Sequence, residues 1–206
     1  MSLLAARERY PDAADYRFLA WNLFLAWIPF VLALVLYVSD RRGRGPAILV
    51  PLAAAWLLFL PNAPYIVTDF VHLGIDTSVP IWFDATMTAS FAGTGLVLGL
   101  VSVLLVQAVL ERRYGSAVGW LMLPPIFLLC SAGIYLGRVH RFNSWDALAH
   151  PGALLDTFAV RLADPLPRPE TLVVLFGVMG MLAVAYLVVY TISDLGLDEP
   201  RRRERD

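Results

Sequence analysis

Residues 85–110 read ATMTASFAGTGLVLGLVSVLLVQAVL, 26 residues without an Asp, Glu, Lys or Arg. An α-helix rises about 1.5 Å per residue, so roughly 20 such residues cross the ~30 Å hydrocarbon core of a bilayer. The stretch is continuously apolar and lacks the two-residue alternation of a membrane β-strand. Four more charge-free windows flank it, at 18–38, 47–67, 117–137 and 171–193. In lipid, a helix satisfies every backbone N–H and C=O within its own segment. The chain therefore reads as all-α: a polytopic helical membrane protein with five transmembrane helices, forming a single integral membrane domain over residues 1–206.

Composition agrees. Hydrophobic residues make up 59% and charged residues 16%, against about 45–50% and about 25% in soluble domains. This excludes an ordinary soluble enzyme and a disordered chain, and the single cysteine, Cys130, excludes a disulfide scaffold. A net charge of −1 leaves no basic face for nucleic acid. All 16 basic residues are Arg. The first window is too long for the apolar region of a signal peptide and lacks a small-x-small cleavage site, so it is expected as a retained first helix.

Arginine placement orients the spans. The short Arg-rich stretches RRGRG (41–45), ERR (111–113) and RRRER (201–205) fall on one side, and the loop 68–84 on the other has no Arg. The expected orientation is N-terminus out and C-terminus in. Segments 68–84 and 138–170 then share the outer face, with all three histidines.

Several local features modify the five-span pattern. Pro61-Asn62-Ala63-Pro64-Tyr65 removes two backbone donors and disfavours helix before each proline, so the second helix should break near Leu60–Ala63. Such breaks occur in membranes only where protein or a watery cavity covers them, and transporters use them to bind substrates and ions. Gly95-xxx-Gly99, Ala89-xxx-Gly93, Gly177 and Gly180 read as sites of close helix packing. Pro124-Pro125 predicts a kink in the fourth span, and Asp84 an N-cap for the third. Leu154, Leu155, Phe158 and Leu162 lie on one helical face between Pro151 and Pro165. That segment, 151–164, is expected as an outer interfacial amphipathic helix.

Two polar constellations carry the candidate chemistry. In the first, Tyr65, Asp69, His72 and Asp76 fall at i, i+4, i+7 and i+11. Asp69 beside His72 suits a carboxylate that orients an imidazole, a proton-handling pair and the candidate catalytic groups. Two such ligands fall short of the three protein ligands of a metal site, so no metal set is assigned. The second is Arg138-Val-His140-Arg141-Phe-Asn143-Ser144-Trp145-Asp146. Its arginines can clamp a phosphate or carboxylate through forked hydrogen bonds, or reach to lipid headgroups. Candidate ligand-binding residues are Asn62, Tyr65, Arg138, His140, Arg141, Asn143 and Asp146.

The strings Phe59-Leu-Pro-Asn-Ala-Pro-Tyr65 with Thr68-Asp69 and His72-Leu73 carry a resemblance, together with Gly133-Ile-Tyr-Leu-Gly-Arg138 and Arg141, Asn143, Ser144, Trp145 and Asp146. They resemble an uncharacterised family of bacterial integral membrane proteins, domain of unknown function 1361. The similarity runs from about Trp21 into the fifth span. The resemblance implies a polytopic protein of the bacterial cytoplasmic (inner) membrane and supplies no mechanism or cofactor. The expectation is a membrane protein whose outer-face polar site binds a small anionic or lipid-headgroup-like ligand. Its rivals are a membrane-embedded enzyme on a lipid or lipid-linked substrate, with or without a metal, a transporter, and a non-catalytic assembly subunit. None of the five windows holds a charge, which counts against a proton relay through the bilayer.

Overall fold

The computed structural model describes residues 16–73, 79–140, 152 and 169–203. Its elements are α1 (Arg17–Arg41), α2 (Pro46–Phe59), α3 (Asn62–Tyr65), a 3-10 helix (Ile66–His72), α4 (Ile81–Tyr114), α5 (Ser116–Leu121), α6 (Leu123–His140) and α7 (Pro169–Arg203). No strand occurs among the described residues. Among the described residues, five segments are long and apolar enough to cross a membrane: Arg17–Arg41, Pro46–Phe70, Ile81–Tyr114, Ser116–Arg138 and Leu175–Asp194. The protein is an all-α, multi-pass membrane protein. The expected interfacial helix at 151–164 lies outside the described residues, Gly152 excepted. The chain forms two compact units, Met1–Val106 and Gln107–Asp206.

In the first unit, α1 closes on a Schellman motif. The Arg44 N–H donates to Ser39 O (3.1 Å) and the Gly43 N–H to Asp40 O (2.9 Å). Gly43 sits at φ +73°, a left-handed conformation that residues with a side chain rarely adopt, so glycine is favoured at this turn. α2 begins immediately, with Gly45 as N-cap and Pro46 in the first turn, where a missing N–H costs nothing.

The second span breaks where its prolines predict. α2 ends at Phe59, the chain turns at Leu60–Pro61, and helix resumes as α3 and then as the tighter 3-10 form. The break is satisfied locally. Asn62 Nδ2 donates to Phe59 O at 2.9 Å, and the Ala63 N–H donates to Leu60 O at 3.1 Å. Thr68 Oγ1 donates to Tyr65 O at 2.7 Å.

This broken span lies against α4 with little clearance. A Cβ on Gly95 would stand 2.7 Å from the Ala63 carbonyl oxygen and 2.8 Å from Ile66 Cδ1, and one on Gly99 2.9 Å from Ala63 Cβ. Further along, Trp56 Nε1 donates to Ser102 Oγ at 3.0 Å, and that hydroxyl donates to Gly99 O at 2.7 Å. Tyr16, Leu19, Ala26, Ala63, Ile66, Met87 and Ala92 form a buried cluster joining α1, the broken span and α4. The packing expectation thus holds for Gly95 and Gly99. It does not hold among the described residues for Gly93, Gly177 or Gly180, where a Cβ would meet nothing within 4 Å. Small spacing alone does not tell which face of a helix has a neighbour.

One further expectation is corrected. α4 starts at Ile81, with Pro80 O accepting from the Phe83 and Asp84 N–H groups, so Asp84 lies inside the first turn and is not its cap. The helix of the fourth span is interrupted at Met122, directly ahead of Pro124-Pro125, where a kink is expected, and the prolines occupy the first turn of α6.

The second unit is organised by a polar chain within apolar helices. Tyr186 on α7 donates its hydroxyl proton to Gln107 Oε1, and Gln107 Nε2 donates to Glu111 Oε1 at 2.9 Å. Gln107 and Tyr186 are buried. Aromatic contacts flank them: Phe127 with Tyr186 at 5.6 Å, and Trp120 edge-on to Tyr190 at 4.9 Å. Gly119 makes room for the acid, since a Cβ there would lie 2.3 Å from Glu111 Cγ. Gly119→Ala should push Glu111 off Gln107. The expected cost is about 1 kcal/mol, the typical net worth of one hydrogen bond, because the flexible Glu111 side chain can yield. Gln107→Leu should remove most of that sensitivity. A double-mutant cycle on thermal midpoints in detergent checks it.

Candidate functional site

The first constellation is built on the broken span. A continuous α-helix would put Asp69 one turn above Tyr65. The 3-10 helix has three residues per turn, so Asp69 instead falls in register with Ile66 below it and with position 72 beyond it. Asp69 is 2% exposed, and its Oδ2 accepts from Asn22 Nδ2 of α1 at 2.9 Å. A carboxylate buried at the end of a membrane-crossing segment is costly unless hydrogen-bonded. The Asn22 amide supplies one such bond, and Asp69 has further interactions beside it. Tyr65 is half-buried on the same segment.

Asn62 is half-buried and binds its own backbone across the break, so its amide nitrogen holds the broken span in shape. The backbone of His72 ends the 3-10 helix. Asp76 lies outside the described residues.

The second constellation belongs to the second unit. Arg138 is half-buried in the last turn of α6, and the helix runs on to His140. Arg138 and Tyr135, one turn before it, are both engaged in interactions. Arg141, Asn143 and Asp146 lie outside the described residues. Among the described residues, no three His, Cys, Asp or Glu side chains stand close enough together to hold a metal ion.

Reading by residue type overlooked three groups. Asn22 stands alone in a charge-free window, and a lone amide in a membrane span was the available signal. Thr88 is fully buried on α4. Gln107 was counted as part of an apolar span, yet it centres the polar chain of the second unit.

No curated protein and no solved structure matches this chain. A family model described as "Protein of unknown function (DUF1361)" matches residues 21–185, which includes the broken second span, Asp69 and Arg138. On that match, covering most of its length, the chain belongs to the DUF1361 family.

Proposed function

We propose that this multi-pass membrane protein binds a small anionic or lipid-headgroup-like ligand through its outer-face polar segments. It sits in the cytoplasmic membrane of a bacterium, N-terminus out and C-terminus in. The observation that carries the reading is Asp69: a carboxylate 2% exposed, at the end of a span broken by two prolines and held by an amide from another helix. Ionisable groups placed so in a membrane protein mark function more often than stability. The anion is assigned to Arg138 and Arg141, whose planar guanidinium groups match phosphate and carboxylate oxygens. Asp69 and His72 orient the ligand or handle its protons. Asn62 and Tyr65, near Asp69 in the chain, and His140, Asn143 and Asp146, near Arg138 in the chain, are the further residues assigned to ligand binding.

Thermal unfolding of the purified protein tests it, with inorganic phosphate in one arm and phosphatidylglycerol nanodiscs in the other. A ligand at a hundred times its Kd stabilises by about 2.7 kcal/mol. The gain should be lost in Arg138→Ala and partly kept in Arg138→Lys. Equal gains in wild type and Arg138→Ala would overturn the assignment. Response to the lipid but not to phosphate would identify a headgroup.

A further inference from the structure

Two faces of α1 differ in what they meet. Ala26, Pro29, Ala33, Leu36 and Asp40 are buried and recur at steps of three and four along one face. Offset by one residue, about 100° round the helix, lies a second face. On it Trp27, Val31, Leu34 and Val38 recur at steps of four, three and four and are 36–48% exposed. One further step of three reaches Arg41, and Arg42 follows it; both are exposed. An apolar stripe thus runs along α1 and ends in two guanidinium groups.

The turn after α1 fixes where those charges stand. The Arg42 N–H donates to Val38 O at 3.0 Å, so the helical bonding continues through the pair. The Gly43 and Arg44 hydrogen bonds then close the turn, and α2 starts at Pro46. Arg44 is exposed and engaged, and adds a third positive charge. Asp40, the acid of this turn, is 1% exposed, lies on the core face and is engaged there. What the turn presents to its surroundings is positive.

The lengths fit an amphiphile. The charge-free window 18–38 ends at Val38, so Arg41 and Arg42, about 5 Å further on, stand at headgroup level. From Val38 back to Trp27 is about 16 Å, one leaflet of a ~30 Å hydrocarbon core. Guanidinium groups match phosphate oxygens through forked hydrogen bonds. A soluble anion would meet the arginines and leave the stripe unused. An apolar helix would cover the stripe and leave the charges unused. We propose that α1 and its turn hold an anionic phospholipid, with the phosphate on Arg41 and Arg42 and an acyl chain along Val38, Leu34, Val31 and Trp27. This site uses none of the residues assigned to the anion reading above.

Bromine on an acyl chain quenches a tryptophan that it touches, and Trp27 closes the far end of the stripe. The full-length protein is placed in phosphatidylcholine nanodiscs that carry the same minor fraction of phosphatidylglycerol or of phosphatidylcholine, brominated near the chain ends. The part of the quenching that disappears in Trp27→Phe reports this site among the six tryptophans. Phosphatidylglycerol should be preferred by at least about fivefold, because each arginine near an anionic headgroup is worth roughly that factor. Arg41→Gln with Arg42→Gln should abolish the preference. The charge-matched pair Arg112→Gln with Arg113→Gln should keep it, and raised salt should weaken it. Equal quenching by the two lipids in the wild type would overturn the site, as would a full preference in the Arg41 and Arg42 variant. Quenching by neither lipid would show the stripe covered by protein, a second copy included, and would also overturn it. Arg41 and Arg42 stay at the membrane surface when the bundle unfolds, so this lipid leaves the Arg138-dependent thermal shift unchanged. The two readings therefore fail separately.

Discussion

Gly95→Ala is expected to destabilise the first unit by about 3 kcal/mol, at the upper end for overpacking by one methyl group. The added Cβ would stand 2.7 Å from the Ala63 carbonyl oxygen, a backbone atom that cannot rotate away. Relief requires α4 and the broken span to separate, and separation also strains the Trp56–Ser102 hydrogen bond further along the seam. For a chain of this size the loss corresponds to roughly 6–12 °C in Tm. Gly99→Ala meets the Ala63 methyl at 2.9 Å, a side-chain obstacle. Adding Ala63→Gly should therefore rescue Gly99→Ala and leave Gly95→Ala unrescued. Gly93→Ala, with nothing within 4 Å, should be neutral or stabilise by about 0.5–1 kcal/mol, because alanine is the better helix former. Equal midpoints for the alanine variants at 93 and 95 would refute the close approach.

Asn22→Leu is the second large effect, at about 2–3 kcal/mol. It removes a hydrogen bond to a charged acceptor, a class worth about 1.5–3 kcal/mol, and leaves the Asp69 carboxylate buried with one partner fewer. Asn22→Asp should cost more, because it sets two carboxylates against each other at hydrogen-bonding distance. Adding Asp69→Leu to Asn22→Leu should cost much less than the two single losses together, because an apolar pair leaves no stranded charge. The double-mutant cycle, read by thermal midpoints in detergent, should return a coupling of at least about 1.5 kcal/mol. Additive losses would show that the amide and the carboxylate do not depend on each other.

These two predictions separate what residue patterns disclose from what they leave open. Gly93 and Gly95 sit two residues apart, each in a small-xxx-small frame. Periodicity treats them alike. Only the neighbour decides, and the neighbour is Ala63, more than thirty residues earlier in the chain. The same holds for Asn22 and Asp69, joined across 47 residues. Asp69 was legible as a candidate because a carboxylate beside a membrane span is conspicuous. Its partner was not, because an amide inside an apolar window has no local pattern to betray its role. In the second unit, Gln107 and Tyr186 are 79 residues apart and equally invisible to spacing.

Sequence alone determined the five crossings, since a bilayer forbids unpaired backbone and so writes its thickness into the length of each charge-free window. It also determined the broken second span, since a proline's missing N–H acts on its own helix wherever that helix lies. Tertiary structure decided which glycines pack and which carboxylate is buried. Those outcomes depend on the face each helix turns toward another. That choice is set by steric fit and hydrogen-bond satisfaction between segments far apart in the chain.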